Sequence, residues 1–180
     1  MEERAKRLKR FQDNPPYEIV ATLLNSIANF FNNEISTTAN GNNPQTSLLF
    51  LGIHAVALTV AEGLFNKNGP VGYKLFLEKF VDGATPDTQF SSISNMIHDW
   101  RNILAHQWIG STGHEVGYDY TMALGWEVRG NITFINPRIY LDHYLAAFGH
   151  GGKIWDWEKH LTAIEQEAAK QRLLRKYENN

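Results

Sequence analysis

The chain contains no cysteine, which excludes a disulfide framework, thiol catalysis and thiolate metal sites and fits a reducing compartment, with the cytoplasm as the expected location. It also lacks an excess of charge of either sign. Lys and Arg number 17 against 19 Asp and Glu, a formal charge of −2 over 180 residues, so no global polycation announces nucleic acid. A hydrophobic content of 43% places the chain among globular rather than disordered sequences. An uninterrupted apolar run of membrane-spanning length is missing too. The longest candidate, Leu48 to Phe65, carries His54 and Glu62 and stops at Asn66-Lys67-Asn68-Gly69-Pro70, the pattern of a buried helix ended by turn residues. Met1 to Asp13 has mixed charge and no apolar centre, so it does not read as a secretory signal, and the sequon at Asn131 carries little weight beside that.

No Pro/Gly/Ser-rich tract divides the chain, so one domain is expected over residues 15–180, preceded by a charged N-terminal helical extension over 1–14. Pro15-Pro16 separates the two. After it Ile19, Leu23, Ile27, Phe30 and Phe31 recur at three- and four-residue intervals, predicting a first core helix. A loop over Ser36 to Thr46 leads to a second long helix from Ser47 to about Phe65, expected to pack antiparallel to the first. Tyr73, Phe76, Leu77 and Phe80 predict a shorter helix. A turn-rich break from Asp82 to Thr88 precedes a helix from about Ser91 to His106.

Beyond His106 the texture changes. Val116 to Thr121 and Trp126 to Ile135 are rich in β-branched and aromatic residues around Gly125, which predicts a β-hairpin turning there, at about 116–135. Pro137 suits the first turn of a helix running to Phe148, Gly149 to Gly152 breaks it, and Ile154 to about Tyr177 predicts a last amphipathic helix. The expected fold class is all-α, an up-and-down helical bundle with a small inserted hairpin.

The helix ending at His106 carries the chemistry. On a wheel of about 100° per residue with Arg101 at zero, Ile93, Met96, Ile97, Trp100, Ile103 and Leu104 fall between about 200° and 320°, an expected core face. Asn95, His98, Asp99, Arg101, Asn102 and His106 fall between about 0° and 160°, an expected polar face. Arg101 and His106 are separated by roughly 140°, so they flank a groove rather than stack. Asn102, one turn before His106, is placed to orient its ring, and His98 and Asp99 line the same cleft.

The pattern Arg101, Asn102, three variable residues and His106 resembles the signature of the HEPN family, small helical bundles that include metal-independent ribonucleases. The match covers some six to eight positions. It implies Arg101 and His106 as catalytic residues, with two copies of the motif brought into one cleft by a homodimer. The residue types suit the reaction: RNA cleavage without metal needs a proton taken from the 2′-hydroxyl, charge stabilised on the phosphorane and a proton given to the 5′-oxygen. One histidine serves both transfers poorly, which favours a two-fold dimer, with His98 as the alternative within one protomer. The expected function is therefore a HEPN-like endoribonuclease acting on RNA without a cofactor. A toxin or phage-defence role and a nucleotidyltransferase-type antitoxin partner are implied by the resemblance alone. The alternative is a non-catalytic HEPN-like module that binds a nucleotide or a protein through the same cleft.

Other features have plainer accounts. A solvated helix face would also present Arg101 and His106 near a helix C-terminus. His54 reads as a core histidine, and His98, Asn102 and His106 do not form the close His pair of helical zinc motifs, so no metal is expected. His143, His150 and His160 lack ligand spacing, and His114 and Glu115 read as surface loop. Arg4, Lys6, Arg7, Lys9 and Arg10 form the one basic cluster, able to touch phosphates but more simply a solvated face. Trp155, Trp157, Leu161 and Ile164 have the spacing of core or dimer packing rather than of a base-stacking platform.

Overall fold

The long apolar segment becomes the central helix of the protein. The structure, a computed structural model, describes residues 2–35, 37, 46–82, 88–107, 116–148 and 161–179, with the side chains of residues 31, 32 and 105–107 outside that description. Of the expected breaks over 36–46, 82–88 and 149–152, residues 36, 38–45, 83–87 and 149–152 lie outside it, as do His114, Glu115, Trp155, Trp157 and His160. The described chain is mostly helical with a small three-stranded sheet inserted late, in agreement with the expected class.

α1 (Glu2–Asp13) and α2 (Pro16–Phe30) meet at the two prolines, and a single π-type turn, Phe31–Ile35, extends α2. α3 (Thr46–Phe65) buries Leu49, Phe50, Ile53, His54, Val56, Ala57, Val60, Ala61 and Leu64. A helix apolar on nearly every side must be surrounded, and α3 packs on all the later helices as well as α2. It has the length and composition of a membrane span, yet more than half of it lies inside the bundle. Asn66 ends it in the left-handed region, φ 55°, with Asn66 N donating to Glu62 O at 3.2 Å and Lys67 N to Ala61 O at 3.3 Å, as a helix C-terminus requires.

α4 (Gly69–Phe76) runs into a π-type turn, Leu77–Val81, and buries Tyr73, Phe76, Leu77 and Phe80. A 3-10 turn, Phe90–Ile93, opens into α5 (Ser94–Gln107). The Asp82 carboxylate accepts from Phe90 N at 2.7 Å and from Ser91 N at 3.3 and 3.4 Å, so the end of α4 caps the approach to α5.

The sheet corrects the expected hairpin. Strands β1 (Val116–Tyr118), β2 (Trp126–Arg129) and β3 (Ile132–Ile135) lie in the order β1-β3-β2. The hairpin joins β2 to β3 through Gly130-Asn131, with Gly130 at φ 61°, a turn that favours glycine first. β1 pairs with β3 in parallel, Val116 opposite Thr133 and Tyr118 opposite Ile135. Gly125 is small for a different reason: a Cβ there would lie 2.6 Å from the side chains of Phe90 and Thr88, so it is a close-packing position, not the turn.

α6 (Pro137–Ala147) starts at the expected proline. Asn136 caps it, accepting from Arg138 N at 3.0 Å and Ile139 N at 3.4 Å while its amide donates to Met122 O at 2.8 Å. α7 (Ala163–Asn179) begins later than the expected Ile154. Its start is a capping box: Glu165 accepts from Thr162 N at 2.7 Å, and Thr162 Oγ1 from Glu165 N at 3.3 Å. Leu161 is buried, but Ile164 is 83% exposed.

The N-terminal helix is docked rather than appended. Phe11 is buried and meets Tyr177 of α7 edge-on at 5.7 Å. Lys170, buried in α7, donates to Gln12 O at 2.8 Å and Asn14 O at 2.7 Å, a cation set on the C-terminal carbonyls of α1. The main partner of α2 is likewise α7, with a lighter contact to α3. Within the basic cluster Arg4 donates to Tyr177 O and Arg10 pairs with Glu18, so those two cations tie elements together.

Lys170→Met keeps the apolar stem but leaves the two carbonyls without their charged donor. It is expected to lower the unfolding free energy by about 1.5–3 kcal/mol, whereas Lys9→Met on the exposed side of α1 should change it by less than about 0.5 kcal/mol. Urea unfolding at neutral pH measures both, and equal effects would show that Lys170 does not anchor α1.

Candidate functional site

α5 is buried over a different arc from the one its apolar residues define. Ile97, Trp100 and Leu104 are buried as expected, but so are Ser94 and His98 at 3% and 9% exposure, while Asn95 and Asp99 are exposed and Met96, Ile103, Arg101 and Asn102 are intermediate. On the wheel the buried arc runs from about 260° through zero to about 60°, so Arg101 sits near its middle instead of on an opposite polar face. The cause is packing: α5 touches both α3 and α4, and two neighbours cover more of a helix than one stripe.

The sheet helps to set this rotation. Trp100 meets Phe50 of α3 at 4.9 Å and Tyr118 of β1 at 5.1 Å, both edge-on. Trp126 Nε1 donates to Gln89 O at 3.2 Å, just before the 3-10 turn. The β insert therefore braces the motif helix from its start to its middle.

Turning inward brings His98 onto His54, a contact that sequence spacing does not reveal. His54 Nε2 and His98 Nδ1 lie 2.9 Å apart, so one ring must donate and the other accept. His54 is fully buried and stacks on Tyr73 at 4.3 Å. Tyr73 in turn hydrogen-bonds Tyr140, whose hydroxyl lies 3.3 Å from that of Tyr144. Burial first, then the charges of Arg101 and His98, depress His54 to a pKa of about 3. Burial lowers His98 as well, with Arg101 adding to the shift and Asp99 opposing it. Both imidazoles are neutral near pH 7. Burial raises the three tyrosines, which stay protonated; their neighbours add to the shift at Tyr73 and Tyr144, while at Tyr140 the bonds to Tyr144 and Tyr73 oppose it.

Arg101 is positioned by this environment. Its Nη1 donates to Asn102 Oδ1 at 2.8 Å, so Asn102 orients the guanidinium; the expected contact of Asn102 with the ring of His106 lies outside the described residues. Arg101 Nε and His54 Nδ1 are buried with no hydrogen-bond partner among the described residues, and no carboxylate pairs with Arg101 among them. His106 lies in the last turn of α5, and its side chain is outside the described residues. His98 is brought into the interior against His54 rather than onto the exposed face of α5. Asp99 is exposed. His143 is buried on α6, its pKa lowered by burial. Among the described residues no three His, Asp or Glu side chains gather as metal ligands.

Compared with known proteins, the chain matches no protein-family model, no curated protein and no solved structure.

The depressed pKa of His54 has a measurable consequence. Above pH 6.5 the imidazole is neutral folded or unfolded, and its contribution is fully present. As pH falls from 6.5 toward 3 the unfolded chain binds a proton that the folded protein refuses, so stability is lost at up to about 1.4 kcal/mol per pH unit. Between pH 7 and 5 the wild type is expected to lose about 2 kcal/mol more than His54→Gln, measured by urea unfolding at each pH. The same loss in both proteins would mean that His54 is not held neutral.

Proposed function

We propose that this protein is a HEPN-like, metal-independent endoribonuclease in which Arg101 and His106 act on RNA at the cleft of a homodimer in the cytoplasm. The observation that supports this reading is the state of Arg101. Its stem and Nε lie within the buried arc of α5, it has no carboxylate counter-ion among the described residues, and Asn102 fixes its orientation. An arginine kept only for stability would be paired, because burying an uncompensated charge is costly. A guanidinium held half-buried without an anion suits a ligand that brings one, and a phosphodiester matches its fork.

In this reading Arg101 stabilises the negative charge that develops on the phosphorane. His106 takes the proton of the attacking 2′-hydroxyl as the new O–P bond forms. The second copy's motif histidine gives a proton to the 5′-oxygen as the old P–O bond breaks. His98, buried and engaged by His54, holds the motif helix and transfers no proton. The toxin or phage-defence role, and a nucleotidyltransferase-type antitoxin, belong to the same proposal through the HEPN resemblance.

Incubating the purified protein with single-stranded RNA in EDTA tests it. Cleavage should survive the chelator, fall by about 100-fold or more in Arg101→Ala and in His106→Ala, and fall by about tenfold in Asn102→Ala, which disturbs only the orientation. Cleavage unchanged in both catalytic variants would overturn the assignment. Absence of cleavage by the wild type, with RNA still bound, would favour the non-catalytic binding module.

A further inference from the structure

A second cluster of cations lies where the C-terminal end of α3 meets α7. A surface pocket there, of about 350 Å³, is lined by Glu62, Asn66, Arg172, Arg175 and Lys176. Arg172 reaches across to α3, donating from Nε to Gly63 O at 3.3 Å and from Nη2 to Leu64 O at 2.5 Å. Its charge is thereby fixed at the wall of the pocket, against the negative end of a helix. Lys176 pairs with Glu62 at 2.7 Å, an exposed and therefore weak ion pair. Arg175 is tethered only through Nε to Gln171 O of its own helix, at 3.3 Å. Its two terminal nitrogens face no carboxylate within ion-pair distance among the described residues.

The balance is three cations against one carboxylate. The helix-end carbonyls account for Arg172 and Glu62 accounts for Lys176, while the exposed Arg175 has no carboxylate partner among the described residues. The crowding has an electrostatic signature: burial, and then the like charge of Arg175, push the Arg172 guanidinium below its usual value. An anion between the two guanidiniums would relieve that repulsion and use their free donors. Asn66, fixed by its left-handed backbone at the end of α3, adds a side-chain amide to the same wall.

We propose that the pocket formed by Asn66, Arg172, Arg175 and Lys176 binds a phosphate group, carried by a nucleotide or by a polynucleotide backbone. Two planar guanidiniums with an ammonium match phosphoryl oxygens better than they match a single carboxylate. The site is separate from the motif cleft. His98 meets α3 at His54, and the pocket begins at Glu62, roughly 12 Å further along the helix axis. It does not depend on the nuclease reading, because a phosphate binder needs no proton-transfer group.

Calorimetric titration of the full chain with inorganic pyrophosphate, with ADP and with a single-stranded RNA 12-mer lacking terminal phosphates tests the proposal. Binding of pyrophosphate or ADP but not the oligonucleotide identifies a nucleotide as the source; binding of the 12-mer that weakens with Arg175→Ala identifies the backbone. In either case Arg175→Ala with Lys176→Ala should weaken binding by about tenfold or more. Lys6→Ala with Lys9→Ala removes the same charge elsewhere and should change it by less than about twofold. His106→Ala should bind as the wild type does, so loss of cleavage and loss of this site are separable. No binding of any probe, or equal weakening by the two double variants, would overturn the proposal.

Discussion

The hydrogen bond between His54 and His98 is the contact around which the motif helix is arranged. α5 is covered by α3 and α4 across nearly half its circumference, so a polar side chain at position 98 has to enter the interior. Two neutral imidazoles can do so at modest cost because each offers the other a partner, and the ring of Tyr73 covers the far face of His54. Burial penalises an imidazolium at this depth and the charge of Arg101 adds to the penalty, so the pair stays unprotonated. The tyrosine hydroxyls of α4 and α6 continue the polar interior on the other side, each satisfying another. The four helices α3 to α6 thus share one buried polar seam inside an otherwise apolar core.

Fixing α5 in this rotation fixes Arg101. Its neighbours on the wheel, Ile97, Leu104, Ser94 and His98, are all buried, so the guanidinium emerges from a packed surface rather than from a mobile one. Asn102 then selects its direction. The arrangement breaks the rule that buried charge is paired, and breaches of local rules concentrate where ligands bind. At the far end of α3 cations gather at the surface instead, where the exposed Arg175 stands beside Arg172 with no carboxylate partner among the described residues. Several other cations are occupied structurally: Lys170 on α1, Arg4 on the end of α7, Arg129 on Asp119 and Glu127.

Stability and candidate function therefore draw on different parts of the chain. The apolar residues of α3 and the aromatic cluster of Phe50, Trp100, Tyr118 and Tyr140 supply the burial that drives folding. The terminal helices close the other side, with Leu23 of α2 and Leu173 of α7 meeting Gly63. The small sheet contributes little area of its own, but it braces the start and middle of α5 through Trp126 and Tyr118 and leads into α6 through Asn136.

What the sequence determined by itself was everything that depends on neighbours along the chain. The apolar run of α3, its stop at Asn66, the proline starts of α2 and α6 and the aromatic pattern of α4 were legible, because period and capping are local. So was the spacing that singles out Arg101, Asn102 and His106. Tertiary structure decided the rest. It rotated α5 so that His98 left the expected polar face, made Gly125 a packing contact and moved the hairpin turn to Gly130. It also brought Lys170 to the end of α1 and Arg172 to the end of α3. A helical wheel assigns one buried stripe to a helix, but a helix wedged between two others buries two. Which polar groups then meet is settled by residues 44 or more positions apart, a relation that no local pattern carries.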